Sequence, residues 1–464
     1  MFKGQDLVEA TGAECGPQAV DVTFSRICLD SRQVEPGALF VALRGERTDG
    51  HLYLSEAFQR GAVGALVEHP FDDADKGSAD GKARPLFRVL DTARALGDLA
   101  RSWRQKHGVQ VIGVTGSVGK TTTKEVIAHL LGKHFNVLRS EANRNTDLSL
   151  PLALMELDPS HQIAVLEMGM LAVGEIQYLA GLAQPKVGVV TNVGPIHLER
   201  LGTIERIAQA KSELVQALPA NGLAVLNGDD PRVRGMARAT DAPACFFGTS
   251  PQSDVWASEV RSLGLDGTAA TFHCRGEQAK AHLRLLGAHS VYAGAAALAV
   301  AVHFGVPFQQ ATHDLETIPP GPRLQLVAGM NGSRLIDDAY NASPPSVEAA
   351  LSFLASLEGR KIAVLGDMLE LGSYEAEGHR EAGRKAAGVA DLLLTVGELA
   401  QVIAAEARAQ GMPAERVASY STAAEAVARL KSELTAGDCV LIKGSRSMHL
   451  EEVVGGLRVS PQPA

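Results

Sequence analysis

The sequence is poor in cysteine, and its five cysteines are scattered along 464 residues. None of them forms a Cys-x-x-Cys pair, which is the spacing typical of zinc sites and dithiol motifs. An odd number of dispersed cysteines argues against a disulfide framework and favours a reducing compartment. These residues are Cys15, Cys28, Cys245, Cys274 and Cys439.

The sequence also lacks a secretory signal and a membrane-spanning run. The first ten residues include Asp6 and Glu9, where a signal peptide needs an apolar core. The most apolar long stretch, residues 294–306, is interrupted by His303 and is too short to cross a bilayer. We therefore predict a soluble, cytoplasmic protein without membrane insertion.

Basic residues are in the minority, with 44 Lys and Arg against 53 Asp and Glu and a net charge of −9. Such a chain has no global positive field for nucleic acid or an anionic membrane, so an anionic ligand requires a local basic site. Apolar residues make up 45% and charged residues 21%, an ordinary globular balance. At roughly 150 residues per domain, the length suggests three domains.

Apolar segments that end in Gly, Asn or acidic residues recur after residue 109. They read "VQVIGVTG", "IAVLEMG", "VGVVTNVG" and "LAVLNGDD", with helical stretches between them. This alternation predicts a parallel sheet that is buried on both faces. The polar carboxyl ends of its strands should line one crevice, where open α/β sheets bind ligands.

Regions on both sides of this sheet show the same kind of alternation. Residues 20–68 read as a small α/β unit, residues 71–85 as a surface loop, and "DTARALGDLARSWRQKH" as a helix. Three prolines in residues 316–324 indicate a hinge. Beyond the hinge, "RLIDDAYN", a helix from Ser346, "KIAVLGDM", "LLLTVG" and "CVLIKGS" predict a third domain with its own parallel sheet.

The most informative motif is "TGSVGKTTT", which follows the first strand. The strict phosphate-loop pattern G-x-x-x-x-G-K-[ST] requires glycine where Val114 stands, so the pattern is missed by one residue. Backbone N–H groups and a helix N-terminus can still hold phosphate, with Lys120 reaching the β- and γ-phosphates. An ordinary strand–turn–helix corner is the weaker alternative. The predicted loop contacts are Gly116, Ser117, Val118, Gly119, Lys120, Thr121 and Thr122.

Three further residues could act near a phosphate, although spacing alone does not join them. Glu167 ends a strand and is either a Mg²⁺ ligand or a capping or surface acid. His197 lies in a loop, where a single histidine is more often structural or solvated than a ligand. Lys211 lies on an amphipathic helix, where a lysine is by default a solvated charge.

Three strand ends of the third domain are polar. Asp337, Asp338, Tyr340 and Asn341 follow one strand, while "GDMLELG" and "IKGSRSM" end two others. Turn chemistry explains such residues individually. Together, three polar strand ends in one sheet would form a face able to hold a charged small molecule.

Taken together, these motifs resemble the Mur ligases. The resemblance rests on "TGSVGKTTTKE", "LEMG", "TNVGPIHLERLGTIERIAQAKSEL", "IDDAYNASP", "GDMLELG" and "LIKGSRSM", which occur in order over nearly the whole chain. The segment from "LDSRQVEPGALFVALRGERTDGH" onward resembles the family's first domain. "IDDAYNASP" and "GDMLELG" favour the family member that adds a dipeptide.

The resemblance implies a three-domain α/β fold and an amide ligation in peptidoglycan precursor synthesis. The expected domains are an N-terminal UDP-substrate domain (1–84), a central phosphate-loop ATPase domain (85–315) and a C-terminal Rossmann-like ligase domain (316–464). The expected substrates are UDP-N-acetylmuramoyl-tripeptide and D-alanyl-D-alanine, with ATP and Mg²⁺. ATP would phosphorylate the tripeptide carboxylate, and the amine of the dipeptide would attack the acyl phosphate. We expect a monomer.

The resemblance also implies roles for individual residues. Lys120 would act on the transferring phosphate, Thr121 and Glu167 on one Mg²⁺, and His197 on a second. Lys211 matches a lysine that the family carbamylates. Arg323 and Asp338 match residues that close over the phosphate and ribose of ATP, while Ser290 replaces an asparagine associated with adenine. The implied substrate contacts are Ser31, Arg32, Asp49 and His51 for the uridine nucleotide, Asn145 and Thr146 for substrate, and Asn341 and Ala342 for the dipeptide.

Two other readings remain open at this point. One is a different ligase of the superfamily, which adds a single amino acid to a muramyl peptide or glutamates to folate. The other is a non-catalytic nucleotide-binding homologue. A switch protein built on a phosphate loop is weaker, because it leaves the third domain without a role.

Overall fold

The computed structural model describes residues 1–45, 48–69, 84–141 and 144–459. The predicted surface loop at 71–85 therefore lies almost wholly outside the described residues. The chain divides into two compact units. The first unit comprises Met1–Val111, Asn136–Met168 and Gln177–Pro185, and the second comprises Ile112–Phe135, Gly169–Ile176 and Lys186–Ala464.

Helices and strands alternate along the described chain. As far as residue 183 they are β1 (Phe2–Lys3), α1 (Gly4–Thr11), β2 (Thr23–Phe24), β3 (Arg26–Cys28), β4 (Ala38–Val41), α2 (Leu54–Gln59), β5 (Gly64–Val67), β6 (Leu86–Arg88), α3 (Thr92–Lys106), β7 (Gln110–Thr115), α4 (Lys120–Gly132), β8 (Val137–Arg139), α5 (Ser149–Leu154), β9 (Ile163–Glu167) and α6 (Glu175–Ala183).

The remaining elements follow in the same alternation. They are β10 (Val187–Val190), α7 (Leu198–Leu201), α8 (Ile204–Gln216), β11 (Leu223–Asn227), α9 (Pro231–Gly235), β12 (Ala244–Gly248), β13 (Val255–Ser262), β14 (Thr268–Cys274), β15 (Glu277–Leu283), α10 (Ser290–His303), α11 (Phe308–Leu315), β16 (Gln325–Ala328), β17 (Arg334–Asp337), α12 (Pro344–Ala355), β18 (Lys361–Gly366), α13 (Glu375–Ala387), β19 (Leu392–Val396), α14 (Gln401–Ala409), β20 (Val417–Tyr420), α15 (Ala423–Glu433), β21 (Cys439–Lys443) and α16 (Glu451–Leu457).

The first unit contains a parallel sheet in the order β3–β4–β5–β6. Every residue of β4 and β5 is buried, as expected for parallel strands covered on both faces. Helix α3 begins after Asp91, whose carboxylate caps it by accepting from the Arg94 N–H. The predicted small α/β region and its following helix are therefore confirmed.

In the second unit, β7, β10, β11, β12 and β13 form a parallel sheet. Strands β10 and β11 are wholly buried, which confirms the parallel strands predicted from their apolar sequences. The sheet continues through β14 and β15 in antiparallel register. The sequence reasoning did not predict this extension, because β14 and β15 mix polar and charged residues with apolar ones instead of forming continuous apolar runs.

The C-terminal part of the second unit has its own sheet in the order β16–β17–β21–β18–β19–β20. All pairs are parallel except β16 with β17, which confirms the predicted third sheet. Val364 and Leu365 are adjacent in β18 but belong to different hydrophobic clusters, so both faces of the sheet are covered. The helix predicted from Ser346 begins two residues earlier, at Pro344, because Ser343 caps it and proline suits the first turn.

All five cysteines are free thiols. Cys28, Cys274 and Cys439 are buried, and Cys15 and Cys245 are half-buried. Burial raises the pKa of each thiol, to about 12 for Cys245. Within the described ranges, no helix combines the length and the apolar character needed to cross a membrane.

Candidate functional site

The phosphate-loop motif forms a tight turn between β7 and α4. Gly119 precedes the helix with φ 87°, a left-handed conformation that glycine adopts without steric cost. Gly116 has φ 149°, and a Cβ at this position would lie 1.8 Å from Thr191 Oγ1. A side chain at position 116 is therefore excluded, and the loop backbone lies directly against the end of β10.

Side chains after β10 fix the loop in place. The Val118 N–H donates to Asn192 Oδ1 at 2.9 Å, and the Val118 carbonyl accepts from Thr191 Oγ1 at 2.6 Å. The Ser117 N–H donates to the Asn192 carbonyl at 2.9 Å, while Ser117 Oγ accepts from the Gly194 N–H at 2.8 Å. The loop is thus preorganised, and the predicted strand–loop–helix context is confirmed. Sequence reasoning missed Thr191 and Asn192 as its supports.

Lys120, the first residue of α4, folds over the loop. Its Nζ donates to the carbonyl oxygens of Gly116 at 2.8 Å and Ser117 at 3.3 Å. Thr121 and Thr122 follow in the first helical turn and are half-buried. This places a cation and two hydroxyls at the N-terminus of a thirteen-residue helix, where anions are favoured.

Lys211 is not the solvated charge that its helix pattern suggested. It lies on α8 and is only 1% exposed. Within the described part of the chain, no carboxylate forms an ion pair with it. Burial, and secondarily the positive charge of Lys120, hold the pKa of its ammonium well below the ordinary range. The second unit therefore contains a buried lysine that favours its neutral form close to the phosphate loop.

His197 Nδ1 and Glu370 Oε2 are joined by a hydrogen bond. His197 precedes α7 and has φ 55°, while Glu370 lies between β18 and α13 and has φ 64°. The Glu199 N–H also donates to the Glu370 carbonyl at 3.3 Å. The hydrogen bond to His197 lowers the pKa of the Glu370 carboxyl. Glu370 belongs to "GDMLELG", and no local sequence pattern indicates its contact with His197.

The polar ends of β17, β21 and β18 lie side by side, as predicted. Lys443 Nζ donates to Asp338 Oδ2 at 2.6 Å and to the Asn341 carbonyl at 2.8 Å. The Leu369 N–H donates to Ser445 Oγ at 2.9 Å, which ties the ends of β18 and β21 together. The sequence reasoning had not identified Lys443 as the partner of Asp338.

Two guanidinium groups lie close to the ring of Tyr340. Arg323, from the predicted hinge, stacks on its ring at 3.9 Å, and Arg446 lies 5.5 Å from the ring centroid. Cation–π contact restrains both arginines at the end of the C-terminal sheet. Nearby, Ala342 is buried, while Asn341 is exposed.

The predicted uridine-site residues belong to the first unit, where each has a local partner. His51 is buried, with Nδ1 bonded to Asp49 Oδ1 and Nε2 accepting from the Glu68 N–H at 3.0 Å. Ser31 Oγ donates to Glu56 Oε2 at 2.8 Å. Arg32, 78% exposed, pairs with Asp30, which lowers the pKa of that carboxyl to about 2.

Glu167 also belongs to the first unit, at the end of β9, and is 2% exposed. Its Oε1 accepts from Asn145 Nδ2 at 2.8 Å. Thr146 instead bonds through its hydroxyl to Ser149 Oγ at 2.9 Å, at the start of α5. The structure therefore brings Asn145 to Glu167 and places Thr146 in a separate local contact.

Two further observations concern ligands. Ser290, which the resemblance places at a position associated with adenine, is buried at the start of α10. No group of three or more His, Cys, Asp or Glu side chains in the described residues has an arrangement suited to a metal. The residues predicted to bind Mg²⁺ include Thr121 and Lys211, which are not among these four residue types.

The geometry defines an α/β phosphate-loop protein with a second parallel sheet carrying charged strand ends. Three family models match in order: "Mur ligase family, catalytic domain" over residues 23–104, "Mur ligase middle domain" over 114–301, and "Mur ligase, glutamate ligase domain" over 322–446. The chain is 36% identical over 454 residues to the UDP-N-acetylmuramoyl-tripeptide–D-alanyl-D-alanine ligase of Bacillus subtilis strain 168, covering 97% of this chain and 96% of that protein. The chain belongs to the Mur ligase family.

Solved structures support the same assignment. A crystal structure of MurF from Acinetobacter baumannii is similar with a TM-score of 0.88 and 31% identity, covering 98% of each chain. MurF ligase from Thermotoga maritima in complex with ADP is similar with a TM-score of 0.81 and 30% identity, covering 94% of this chain and 97% of that one. The expected fold class is therefore confirmed.

Proposed function

We propose that this chain is an ATP-dependent ligase that joins D-alanyl-D-alanine to UDP-N-acetylmuramoyl-tripeptide in the cytoplasm. The observation that carries the proposal is the presence of a preorganised phosphate loop together with a second sheet, in which the "IDDAYNASP" and "GDMLELG" segments follow β17 and β18 on either side of β21. The similarity over nearly the full length to ligases of this name supports the same substrates.

The reaction requires activation of a carboxylate, which is a poor electrophile. The γ-phosphoryl group of ATP moves to the terminal carboxylate of the tripeptide, giving an acyl phosphate and ADP. The dipeptide amine then attacks the carbonyl carbon, inorganic phosphate leaves, and the nitrogen loses a proton. The protein contributes mainly position and charge, with Lys120 and the loop N–H groups on the phosphates.

We propose Thr121, Glu167, His197 and Lys211 as the residues that hold Mg²⁺. Glu167 fits this role because its buried carboxylate accepts from an amide of Asn145, the kind of outer contact that orients metal ligands. When bound, Mg²⁺ would neutralise charge on the phosphates and the transferring group.

Lys211 is proposed to carry a carbamate. Only a neutral amine captures CO₂, and both the burial of Lys211 and its lowered pKa favour that form. The neutral amine nitrogen forms a bond to the carbon of CO₂ and loses a proton, which gives a buried carbamate anion. A buried anion needs a cationic partner, which is consistent with a neighbouring metal site.

The substrate contacts are proposals that rest on the family motifs. Ser31, Arg32, Asp49 and His51 are assigned to the uridine nucleotide. The exposed guanidinium of Arg32 suits a direct contact, whereas His51 has both ring nitrogens engaged and suits a supporting role. The remaining assigned residues are Asn145 and Thr146 for the tripeptide substrate, and Asn341, Ala342 and segment 366–372 for the dipeptide.

The domain division at 84/85 and 315/316 and the monomeric state are proposed in the same way. Arg323 and Asp338 would meet ATP when the C-terminal domain closes about residues 316–324. Leu324, at the end of this segment, has a left-handed φ of 50°.

The test is ATP-dependent phosphate release by the full chain with each candidate acceptor. Turnover that requires both UDP-tripeptide and D-alanyl-D-alanine supports the proposal. Turnover with a single amino acid or with a folate instead would assign the chain to a sister ligase. Nucleotide binding without turnover would identify a non-catalytic homologue.

A further inference from the structure

The segment containing Glu370 touches the segment containing His197 at three points. The first is the hydrogen bond between Glu370 Oε2 and His197 Nδ1. The second is the hydrogen bond from the Glu199 N–H to the Glu370 carbonyl. The third is Gly372, where a Cβ would lie 2.9 Å from the Glu199 Cα and N atoms. The two segments are therefore in direct backbone contact.

Unusual backbone conformations concentrate at the same place. His197 and Glu370 are both non-glycine residues in the left-handed region, with φ of 55° and 64°. Few non-glycine residues adopt it, and they persist there only where the surroundings determine the conformation. Gly372 also has a left-handed φ of 54°. Both segments of this contact therefore contain residues with a restricted backbone conformation.

The hydrogen bond between Glu370 and His197 has a chemical consequence for the imidazole. A carboxylate only accepts hydrogen bonds, so its contact with Nδ1 places a proton on that nitrogen. In the neutral ring, Nε2 then keeps its lone pair. A carboxylate in this position fixes both the tautomer and the ring orientation of a metal-binding histidine.

We propose that Glu370 is a positioning residue for His197. When segment 366–372 is docked, Glu370 holds the imidazole in the tautomer and orientation in which Nε2 can bind a metal. This inference rests on the proposed function, which assigns His197 to a metal and segment 366–372 to the dipeptide. Glu370 acts on the reaction through the imidazole of His197. Docking of the segment and orientation of His197 are coupled because Glu370 is itself part of segment 366–372.

Removal of the Glu370 carboxylate should leave the fold intact, because the segment has other anchors. The Met368 N–H donates to His379 Nε2 at 3.0 Å, and the Leu369 N–H donates to Ser445 Oγ. The Glu370 side chain is 44% exposed, so its truncation leaves no large cavity. A Glu370→Ala variant therefore tests positioning, and Glu370→Gln, which keeps an acceptor oxygen, is the conservative variant.

The first measurement is the protonation state of the His197 ring nitrogens by NMR of histidine-labelled protein, without substrates or metal. The His197 signal is identified by its absence in His197→Gln. We expect Nδ1 protonation in the wild type, a shift towards a tautomer mixture in Glu370→Ala, and an intermediate state in Glu370→Gln. Glu199→Gln is the matched control, because Glu199 contributes only its main-chain N–H. An unchanged His197 signal in Glu370→Ala would overturn the proposal.

The second measurement is Mn²⁺ affinity by electron paramagnetic resonance in the presence of a non-hydrolysable ATP analogue. Loss of an outer partner of a metal ligand typically weakens binding about 10–100-fold, and we expect Glu370→Ala to fall in this range. The KM for D-alanyl-D-alanine should also rise more than the KM for ATP. Equal Mn²⁺ affinities in the wild type and Glu370→Ala would refute the role. The NMR and Mn²⁺ measurements do not depend on ligase activity. They remain informative if the wild type shows no ligation, an outcome that would count against the proposed function alone.

Discussion

Lys443 and Asp338 form a buried ion pair, with 2.6 Å between Nζ and Oδ2, at the ends of the neighbouring parallel strands β21 and β17. Their side chains are 2% and 9% exposed. The same ammonium also donates to the Asn341 carbonyl. A strand-end lysine thus fixes both the carboxylate proposed for ribose and the backbone proposed for the dipeptide.

The Lys443→Met variant should be strongly destabilised. Removing one member of a buried ion pair leaves an uncompensated charge and typically costs about 3–5 kcal/mol. The double variant Lys443→Met/Asp338→Leu should recover part of this loss, because neither charge remains. Urea unfolding of the two variants measures the difference, with the exposed Lys431→Met as control. A Lys443→Met protein as stable as the wild type would contradict the pairing.

Lys120→Ala should abolish most ligation while the fold is retained. Loss of one electrostatic contact to the transferring charge costs about 10²–10³ in rate. The matched control is Lys133→Ala, which removes an exposed lysine at the other end of the same helix. Steady-state phosphate release gives the rates, and circular dichroism checks the fold. Near-normal turnover in Lys120→Ala would show that the loop does not bind the reacting phosphate.

Lys211→Ala should be nearly inactive, and short-chain carboxylates should partly restore its activity by filling the vacated volume and returning a negative charge. Lys211→Arg keeps a cation that cannot be carbamylated, so it should stay inactive with or without added carboxylate. Initial rates over a range of acetate or propionate concentrations provide the measurement. Full activity in Lys211→Arg would mean that a positive charge suffices, and the carbamate would have to be abandoned.

The stability of the first unit should depend on pH through the ionisation of Asp6. Burial alone would raise the pKa of its carboxyl, but hydrogen bonds from Lys106 and the Lys3 N–H lower it below the ordinary value. Because the folded-state pKa lies below the unfolded one of about 3.9, the stabilisation is present above that pH and is lost as pH falls through the folded-state pKa.

Accordingly, Asp6→Asn should lower the free energy of unfolding by about 1 kcal/mol at pH 7, the usual size of a helix cap with an exposed ion pair. At pH 3 the difference from the wild type should shrink, because the Asp6 carboxyl has the higher pKa in the unfolded chain, which therefore binds a proton first and is stabilised. Urea titrations at both pH values make the comparison, with the exposed Asp21→Asn as control. An equal loss at both pH values would exclude ionisation of Asp6 as the cause.

The C-terminal domain should move about residues 316–324 when ATP and UDP-substrate bind. The phosphate loop and Arg323 lie on opposite sides of the proposed boundary, so the arginine can act on phosphate only in a suitable closed state. Small-angle scattering with and without an ATP analogue plus UDP-tripeptide should show a smaller radius of gyration on binding. An unchanged radius from an already compact free protein would argue against the motion.

The phosphate loop could be predicted from the sequence because its determinants are local: a buried strand, two glycines, and lysine at the helix start. The adjacent ends of β17, β21 and β18 followed from strand patterns in the same way. Lys211 illustrates what local pattern cannot provide, since its helix is amphipathic but the lysine lies on the buried side. The contact between His197 and Glu370 joins residues 173 positions apart, so only the tertiary structure reveals it. The β14 and β15 extension was missed because its strands carry polar and charged residues among the apolar ones, so neither has the continuous apolar run of a central parallel strand.

The burial of the cysteines decides how motion in this protein can be observed. Thiolates, not thiols, react with maleimides, and burial raises the pKa of all five thiols and limits access to three of them. Native cysteines should therefore label slowly at neutral pH, while cysteines introduced on exposed positions such as Lys133 and Lys431 should label quickly. Because of this difference in labelling rate, fluorophore pairs for single-molecule distance measurements can be attached to introduced cysteines without replacing the natural ones.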